Sequence, residues 1–269
     1  CIENYKSYIT KFEEESQIHN HRIDRLLGLF SIAMASYNND IKNESLRVLS
    51  STLFKSNILS LDEKYNIFNK IGKKILTLLD DNREDDFLFY NNAASLNHIY
   101  RFISDYEFFH GSLEPVDDQN IAFFPGSFDP FSLGHKEIAI EIRDQGFQVY
   151  LAVDEFSWSK RTEPHNFRRN IVNMSIANEK DIYLFPKNTP INISNPIDLD
   201  SLRKLFPKKE VYIVVGSDVL INAAAYKKES IILDFPHIIF DRKSSISKDD
   251  DEKTLEKSIK NIRSKVIRL

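Results

Sequence analysis

The sequence predicts an α + α/β protein in which an N-terminal helical domain precedes a parallel sheet covered by helices. Residues 1 to about 110 carry apolar side chains at helical spacing. From Ile121 onward, short apolar runs alternate with helical segments, a pattern typical of parallel strands joined by right-handed crossovers. The stretch HGSLEPVDDQN, residues 110–120, loses all periodicity and gains Gly and Pro. We therefore predict domains at 1–112 and 118–269.

Composition limits the partners that the chain can have. The net charge of -4 and the pI near 6.0 give no sign of the clustered basic surface that nucleic acids or anionic membranes require. A single cysteine excludes an internal disulfide, and no apolar run is long enough for a membrane span or a signal peptide. We predict a cytoplasmic protein. The histidines of the helical part, His19, His21 and His98, lack metal-ligand spacing, so no metal site is predicted.

The helical part reads as a bundle or a few helical hairpins. Ser60 and Glu63 form a capping box at the start of one helix. Apolar residues recur at helical spacing in three stripes: Ile23, Leu26, Leu27, Phe30 and Met34; Ile67, Ile71, Ile75, Leu78 and Leu79; Phe87, Tyr90, Ala94, Ile99, Phe102 and Tyr106. None of these residues indicates chemistry, and the partner of this domain is not predicted.

The second part alternates regularly between strand and helix. The predicted strands are IAFF from Ile121, FQVYLAV, IYLF, VYIVV, HIIF, and KVIRL at Lys265–Leu269, which reads as a last strand just beginning. The predicted helices lie at about 134–145, 166–178, 199–206, 218–227 and 252–264. Parallel sheets of this kind bind ligands beyond the carboxyl ends of their strands.

The stretch FFPGSFDPFSLGH, residues 123–135, lies at such an end, directly between a strand and a helix. A turn at Gly126 lets backbone N–H groups approach an anion, and the helix that begins near Gly134 presents its positive end to the same place. His135 can donate a hydrogen bond to a phosphate oxygen there. Asp129, before Pro130, is expected to hold the shape of the loop. The residues predict a phosphate site, although neither a Walker A nor a dinucleotide-binding glycine motif is present.

These residues resemble the G-[ST]-F-D-P-x-[HT]-x-G-H signature of the nucleotidyltransferase superfamily. Gly216-Ser217-Asp218 and the segment HIIFDR, which ends at Arg242, are similar to segments of nicotinate and nicotinamide mononucleotide adenylyltransferases. Lys160, with Arg168 or Arg169, matches basic residues that these enzymes carry after the second strand and in the following helix. The resemblance covers about Ile121 to Arg242 and implies a Rossmann-like nucleotidyltransferase domain.

The resemblance also implies a reaction, in which the phosphate of an acceptor attacks the α-phosphorus of ATP and pyrophosphate leaves. His135 and Ser132 would contact the triphosphate, and Lys160, Arg168 and Arg169 would neutralise phosphate charge. Mg²⁺ would bridge phosphate oxygens, and Asp218 would bind a sugar or base edge or cap its own helix. The remaining nucleotide-binding positions would be Gly126, Ser127, Phe128, Gly134, Gly216, Ser217 and Arg242. Trp158 would stack on the acceptor or pack its loop.

Two departures from the family pattern stand out. Ser132 occupies the position of the first histidine or threonine of the signature, where its hydroxyl could still donate to phosphate. The I-S-S-T-x-x-R segment that closes over the triphosphate in the family is missing, and we expect the chain to stop before it. Ser244, Ser245 and Ser247 read as a solvated loop rather than as a replacement.

The function predicted from these residues is transfer of the AMP moiety of ATP to a nicotinate or nicotinamide mononucleotide-like acceptor. Adenylyl or cytidylyl transfer to another phosphorylated acceptor is the alternative within the class. A non-catalytic ATP-sensing or assembly module, with the helical domain holding a partner, is the alternative outside it.

Overall fold

A computed structural model of the chain describes residues 16–57, 59–81, 86–113, 119–154, 162–223, 226, 230–241 and 249–269. Its backbone contacts form two compact units. The first comprises Cys1–Leu78 and Asn82–Glu114, and the second comprises Pro115–Leu269 with the short stretch Leu79–Asp81. None of the helices within the described ranges is long and apolar enough to cross a membrane.

The first unit is helical. It contains α1 (Ser16–Met34), α2 (Asn39–Leu49), which continues into a π-helical turn at Ser50–Phe54, α3 (Leu61–Asp81) and α4 (Asp86–His110). The predicted capping box is confirmed, because the Ser60 N–H donates to Glu63 Oε2 at 2.8 Å and the Glu63 N–H donates to Ser60 Oγ at 3.2 Å. The predicted face of α3 is buried at Ile67, Ile71 and Ile75.

The predicted stripe of α4 is only partly correct. Ile99 and Phe102 are buried as expected, but Ala94 is exposed and the buried face runs through Asn92 and Ser95 instead. The amide of Asn92 donates to Asn43 Oδ1 at 2.8 Å. A hydrogen-bonded amide can be buried at modest cost, so the hydrophobic pattern does not register it.

The second unit alternates strands and helices. Its elements, in chain order, are β1 (Asn120–Gly126), α5 (Leu133–Asp144), β2 (Phe147–Val153), α6 (His165–Ile176), β3 (Ile182–Leu184), α7 (Pro196–Leu205), β4 (Val211–Gly216), α8 (Ser217–Asn222), a 3₁₀ turn (Ile231–Asp234), β5 (His237–Phe240), α9 (Asp249–Lys260) and β6 (Val266–Arg268). The predicted parallel α/β architecture is confirmed, including a last strand within KVIRL.

All strand pairs of the sheet are parallel, and the strand order is β3-β2-β1-β4-β5-β6. Alternate residues of β1 face opposite sides, so Ile121 and Phe123 belong to one core cluster while Ala122 and Phe124 belong to the other. Helices α5 and α6 pack on the second face, and α7, α8 and α9 pack on the first. Chain order reverses between β1 and β4, and such a switch point opens a crevice at the carboxyl ends of the strands.

Two helices of this unit differ from the prediction. Helix α7 begins three residues early, at Pro196, because Asn195 caps it by accepting from the Ile197 N–H at 3.0 Å. Helix α8 ends at Asn222 instead of continuing to about residue 227, since Ala223 is extended. Tyr226, a few residues later, is buried and its hydroxyl contacts Nε2 of His237 at 3.1 Å.

Candidate active site

The loop between β1 and α5 is shaped by Phe128. This residue has a positive φ of 45° and is buried against Phe124 and Phe131, with ring centroids 5.5 and 5.4 Å away. A Cβ added to Gly126 would meet the Phe128 ring at 3.1 Å. Glycine therefore fits at 126 because the aromatic ring lies over it, and its own φ is not positive. The chain reverses direction at Phe128 instead, whose backbone is strained by its positive φ.

Ser132 and His135 form a reciprocal cap at the start of α5. The Ser132 N–H donates to Nδ1 of His135 at 3.1 Å, Ser132 Oγ lies 2.9 Å from the same nitrogen, and the His135 N–H donates to Ser132 Oγ at 3.4 Å. Phe131 stacks on the imidazole at 5.7 Å between centroids, and Phe128 meets it edge-on at 5.4 Å. The ring of His135 is thus held in one orientation.

A cavity of about 720 Å³ opens at the carboxyl ends of the strands. The ends of β1, β2, β4 and β5 line it, together with the loop that follows β3. Among the predicted site residues, the structure brings together at this cavity Gly126, Ser127, Phe128, His135, Arg169, Gly216 and Asp218. Its size falls within the range of ordinary ligand pockets, and nucleotide-sized molecules fit that range.

Other predicted residues do not line the cavity. Ser132 is used in the cap, Gly134 is exposed in the first turn of α5, and Ser217 is completely buried at the start of α8. Trp158, Lys160 and Arg242 lie outside the described residues, as do Ser244, Ser245 and Ser247. Their assignments stay predictions.

The neighbouring arginines Arg168 and Arg169 occupy different positions. Arg168 is 1% exposed, and its guanidinium donates to three backbone carbonyls, those of Ser127, Asp154 and Glu163. Arg169 lines the cavity and donates from Nη1 to the carbonyl of Phe185 at 2.9 Å. The geometry therefore favours Arg169 for contact with a ligand and makes Arg168 a clamp between the loops that follow β1 and β2.

A second link joins the same two loops. Asp129 Oδ2 accepts from the Glu163 N–H at 2.8 Å, which agrees with the expectation that Asp129 holds the loop shape. Asp154, directly after β2, also lines the cavity. Burial raises the pKa of its carboxyl to about 6, and the positive charge of Arg168 opposes that rise. A cation that enters the cavity would stabilise the ionised form of Asp154.

The Gly216-Ser217-Asp218 segment turns from β4 directly into α8. A Cβ on Gly216 would fall 2.3 Å from Oδ1 of Asp218 and 3.4 Å from the ring of Phe240. Because real Cβ atoms do not approach oxygen so closely, glycine is needed here to let the Asp218 carboxylate lie over the end of β4. Asp218 is thereby held at the cavity.

Sequence reasoning missed seven polar residues of the cavity: Asp154, His165, Lys187, Thr189, Asn192, Ser194 and Asp198. Asp154 and Lys187 follow β2 and β3 at the edge where ligands were expected, so position alone could have indicated them. His165 begins α6, and its Nε2 donates to the carbonyl of Val153 at 3.0 Å. Within the described part of the chain, no group of three or more His, Cys, Asp or Glu side chains could hold a metal by itself.

With this geometry established, comparison with known proteins defines the class. The model of the cytidylyltransferase-like family matches residues 123–268, more than half of the 269 residues, so the chain belongs to that nucleotidyltransferase-like family. No protein with a curated description matches the chain.

Solved structures similar to this chain include a Plasmodium falciparum nicotinic acid mononucleotide adenylyltransferase in two complexes. The complex with NaAD is 20% identical, with a TM-score of 0.44, and the match covers 56% of this chain and 75% of that one. The complex with APC is 20% identical with a TM-score of 0.42, at the same coverage.

Proposed function

We propose that this protein transfers the AMP moiety of ATP to a phosphorylated acceptor such as nicotinate or nicotinamide mononucleotide. The observation that carries the proposal is the position of His135, a held imidazole at the start of α5 that lines a cavity at the carboxyl ends of the strands. Membership in a nucleotidyltransferase-like family supports the reaction class.

The residues of the cavity suit a transfer that needs no covalent enzyme intermediate. An oxygen of the acceptor phosphate forms a bond to the α-phosphorus of ATP, the bond from that phosphorus to the α–β bridging oxygen breaks, and pyrophosphate leaves with the electron pair. In our proposal the N–H groups of the β1–α5 loop, the positive end of α5 and the His135 ring bind the phosphates. Arg169 neutralises part of their charge, and catalysis comes from alignment and electrostatic stabilisation.

Mg²⁺ is proposed to enter together with the triphosphate. Mg²⁺ commonly takes most of its ligands from phosphates and water and only one or two from carboxylates. Asp154 and Asp218 are carboxylates that line the cavity, so the donor set fits such an ion. When bound, the ion supplies positive charge to the phosphate oxygens.

The acceptor is proposed from sequence. The Gly216-Ser217-Asp218 segment, which resembles the mononucleotide adenylyltransferases, places the Asp218 carboxylate at the cavity. A carboxylate there can accept hydrogen bonds from ribose hydroxyls or an exocyclic amine. Both ATP and a mononucleotide acceptor carry such groups.

The experiment is a matrix of nucleotides and acceptors. Pyrophosphate release by the full chain would be measured for ATP and CTP, each with nicotinate mononucleotide, nicotinamide mononucleotide and glycerol 3-phosphate. We expect release with ATP and a mononucleotide, and formation of the matching dinucleotide. Release only with CTP would assign a cytidylyltransferase instead. Tight ATP binding with no transfer to any acceptor would contradict the proposal and favour the sensing module.

A further inference from the structure

Ser132 stands where the family signature has a histidine or threonine, and the structure gives it an unexpected set of contacts. Its backbone N–H and its Oγ both lie within hydrogen-bond distance of Nδ1 of His135, at 3.1 and 2.9 Å. The cavity is lined by His135 and not by Ser132. Ser132 therefore contacts the residue that faces the ligand, while its own side chain lies outside the cavity lining.

These contacts determine which ring nitrogen of His135 carries the proton. A backbone N–H can only donate, so Nδ1 must be the acceptor of that hydrogen bond. The neutral ring then has its hydrogen on Nε2. The Ser132 hydroxyl hydrogen shares the one lone pair of Nδ1 with the Ser132 N–H, and Ser132 Oγ accepts from the His135 N–H. The hydroxyl hydrogen that sequence reasoning assigned to phosphate is used within the cap.

The aromatic neighbours prevent the ring from leaving this state. Phe131 is nearly parallel to the imidazole, with an interplanar angle of 19°, and Phe128 is perpendicular to it at 89°. Both phenylalanines are buried, at 9% and 3% exposure. A 180° flip of the imidazole would have to break the cap within this closed packing.

We propose that Ser132 is a positioning residue that acts on the ligand only through His135, by holding the Nε2–H tautomer and the ring orientation that a phosphate oxygen requires. This inference rests on the proposed function for the identity of the ligand. It does not depend on turnover, because tautomer and nucleotide binding are measured without the transfer reaction. A serine suits the role because its hydroxyl reaches its own helix start, as N-cap residues do.

A double-mutant cycle in ATP affinity tests the route of action, since it separates a direct contact from one made through a neighbour. The four proteins are the wild type, Ser132→Ala, His135→Ala and the double variant. One hydrogen bond of about 0.5–1.5 kcal/mol corresponds to a loss of roughly 2- to 10-fold in affinity. We expect that loss for Ser132→Ala in the wild-type background and no further loss in the His135→Ala background. An equal loss in both backgrounds would show that Ser132 acts without the His135 ring, by direct contact with ATP or through the start of α5, and would overturn the proposal.

The tautomer is read separately by ¹⁵N-histidine NMR, which reports the protonation of each ring nitrogen. We expect the His135 ring of the wild type and of Ser132→Thr, which keeps the hydroxyl, to be protonated on Nε2 only. Ser132→Ala should show a mixture of tautomers. Ser201→Ala is the matched control, because Ser201 also uses its hydroxyl locally, on the carbonyl of Ile197 at 2.9 Å in α7. A wild-type ring protonated on Nδ1 would disprove the inference even if ATP transfer is established.

Discussion

The two glycines at the cavity, Gly126 and Gly216, are required for space rather than for backbone rotation. A Cβ at either position would meet a side chain that the site needs, the ring of Phe128 or the carboxylate of Asp218. Gly134, in the same signature, is different: its added Cβ would have only Ser132 Oγ nearby, at an ordinary 3.7 Å. The three glycines of the motifs therefore differ in the penalty that a methyl group would bring.

This difference predicts opposite outcomes for two alanine substitutions. Gly216→Ala should push the Asp218 carboxylate away from the cavity and weaken ATP binding. Gly134→Ala should bind ATP normally, and it should stabilise the fold by up to about 1 kcal/mol because alanine is the better helix residue. ATP titration and urea unfolding of both variants measure these effects. A Gly216→Ala protein that binds ATP with wild-type affinity would show that Asp218 does not contribute to ATP binding.

His135 should matter for turnover far more than for folding. It lies in the first turn of α5 at the cavity, and a lost donor to developing phosphate charge costs on the order of 10² to 10³ in rate. His135→Ala should show that loss in kcat, while its unfolding free energy falls by only about 1 kcal/mol for the lost half of the cap. His98→Ala, on α4 in the helical unit, is the control and should keep the full rate. A His135→Ala protein at full rate would disprove its assigned role.

At the scale of elements, Arg168 joins the loops that form one side of the cavity. Its guanidinium, buried on α6, holds the carbonyls of Ser127, Asp154 and Glu163. Asp129 adds the link to the Glu163 N–H. Because an arginine fork can hold several fixed carbonyls at once, this one side chain sets the spacing of the loops after β1 and β2.

Replacing this clamp should destabilise the second unit strongly. Arg168→Met leaves three carbonyls without their donor and Asp154 without its nearby cation, so we expect a loss of about 3 kcal/mol or more in unfolding free energy. The control is Arg203→Met: Arg203 is exposed and donates to the Asp234 carbonyl at 3.3 Å, and its loss should cost under about 1 kcal/mol. Urea unfolding followed by the single tryptophan, Trp158, measures both. Equal losses would contradict the clamp.

The elements also show how far the sequence could predict the fold. The strands FQVYLAV and HIIF were predicted to the residue, because fully buried parallel strands are continuous apolar runs. The end of α8 was not predicted, since the segment INAAAYKK, residues 221–228, has good helix propensity. What ends the helix is tertiary: Tyr226 is buried with its hydroxyl on His237, a contact 11 residues away that no local pattern contains.

The candidate site was predictable to a similar degree. The loop from Gly126 to His135 and the segment at Gly216 were placed correctly at the carboxyl ends of β1 and β4, because motif and sheet topology coincide there. The different positions of Arg168 and Arg169 were not predicted, since adjacent residues on a helix point in different directions. Which of them faces a cavity depends on how α6 packs, and that packing is decided by the whole second core cluster.

At the scale of the whole second unit, half-buried Asp154 and buried His237 act on stability in opposite directions. Asp154 follows β2 at the carboxyl ends of the strands, whereas His237 begins β5 at their amino ends. Burial raises the pKa of Asp154 to about 6 and lowers the pKa of His237 to about 4. The His237 ring is wholly buried, with Nδ1 donating to the Phe235 carbonyl at 2.8 Å and Nε2 accepting from Tyr226.

The sign of each effect follows from which state binds more protons. For His237 the unfolded chain, with a pKa near 6.5, binds more between pH 6.5 and 4, so its stabilising contribution is complete above pH 6.5 and is lost on acidification. For Asp154 the folded chain binds more between pH 6 and 3.8, so its contribution is complete below pH 3.8 and is lost as the pH rises through 6. The two contributions to the pH dependence of the unfolding free energy largely cancel in the wild type.

Replacing one of the two residues should therefore expose the pH dependence that the other one causes. When the pH falls from 7 to 5, His237 alone lowers the unfolding free energy by about 2 kcal/mol, and Asp154 alone raises it by about 1 kcal/mol. Relative to the wild type, Asp154→Asn should lose stability more steeply on acidification, and His237→Asn should lose less or gain. Urea unfolding at pH 5, 6 and 7, followed by Trp158 fluorescence, gives the slopes, and subtracting the wild type removes the groups common to all three proteins. Because the two residues lie at opposite ends of the strands, the change in slope of the double variant, relative to the wild type, should equal the sum of the two single changes. Parallel pH profiles for the wild type and the two single variants would mean that neither residue has a shifted pKa in the folded protein.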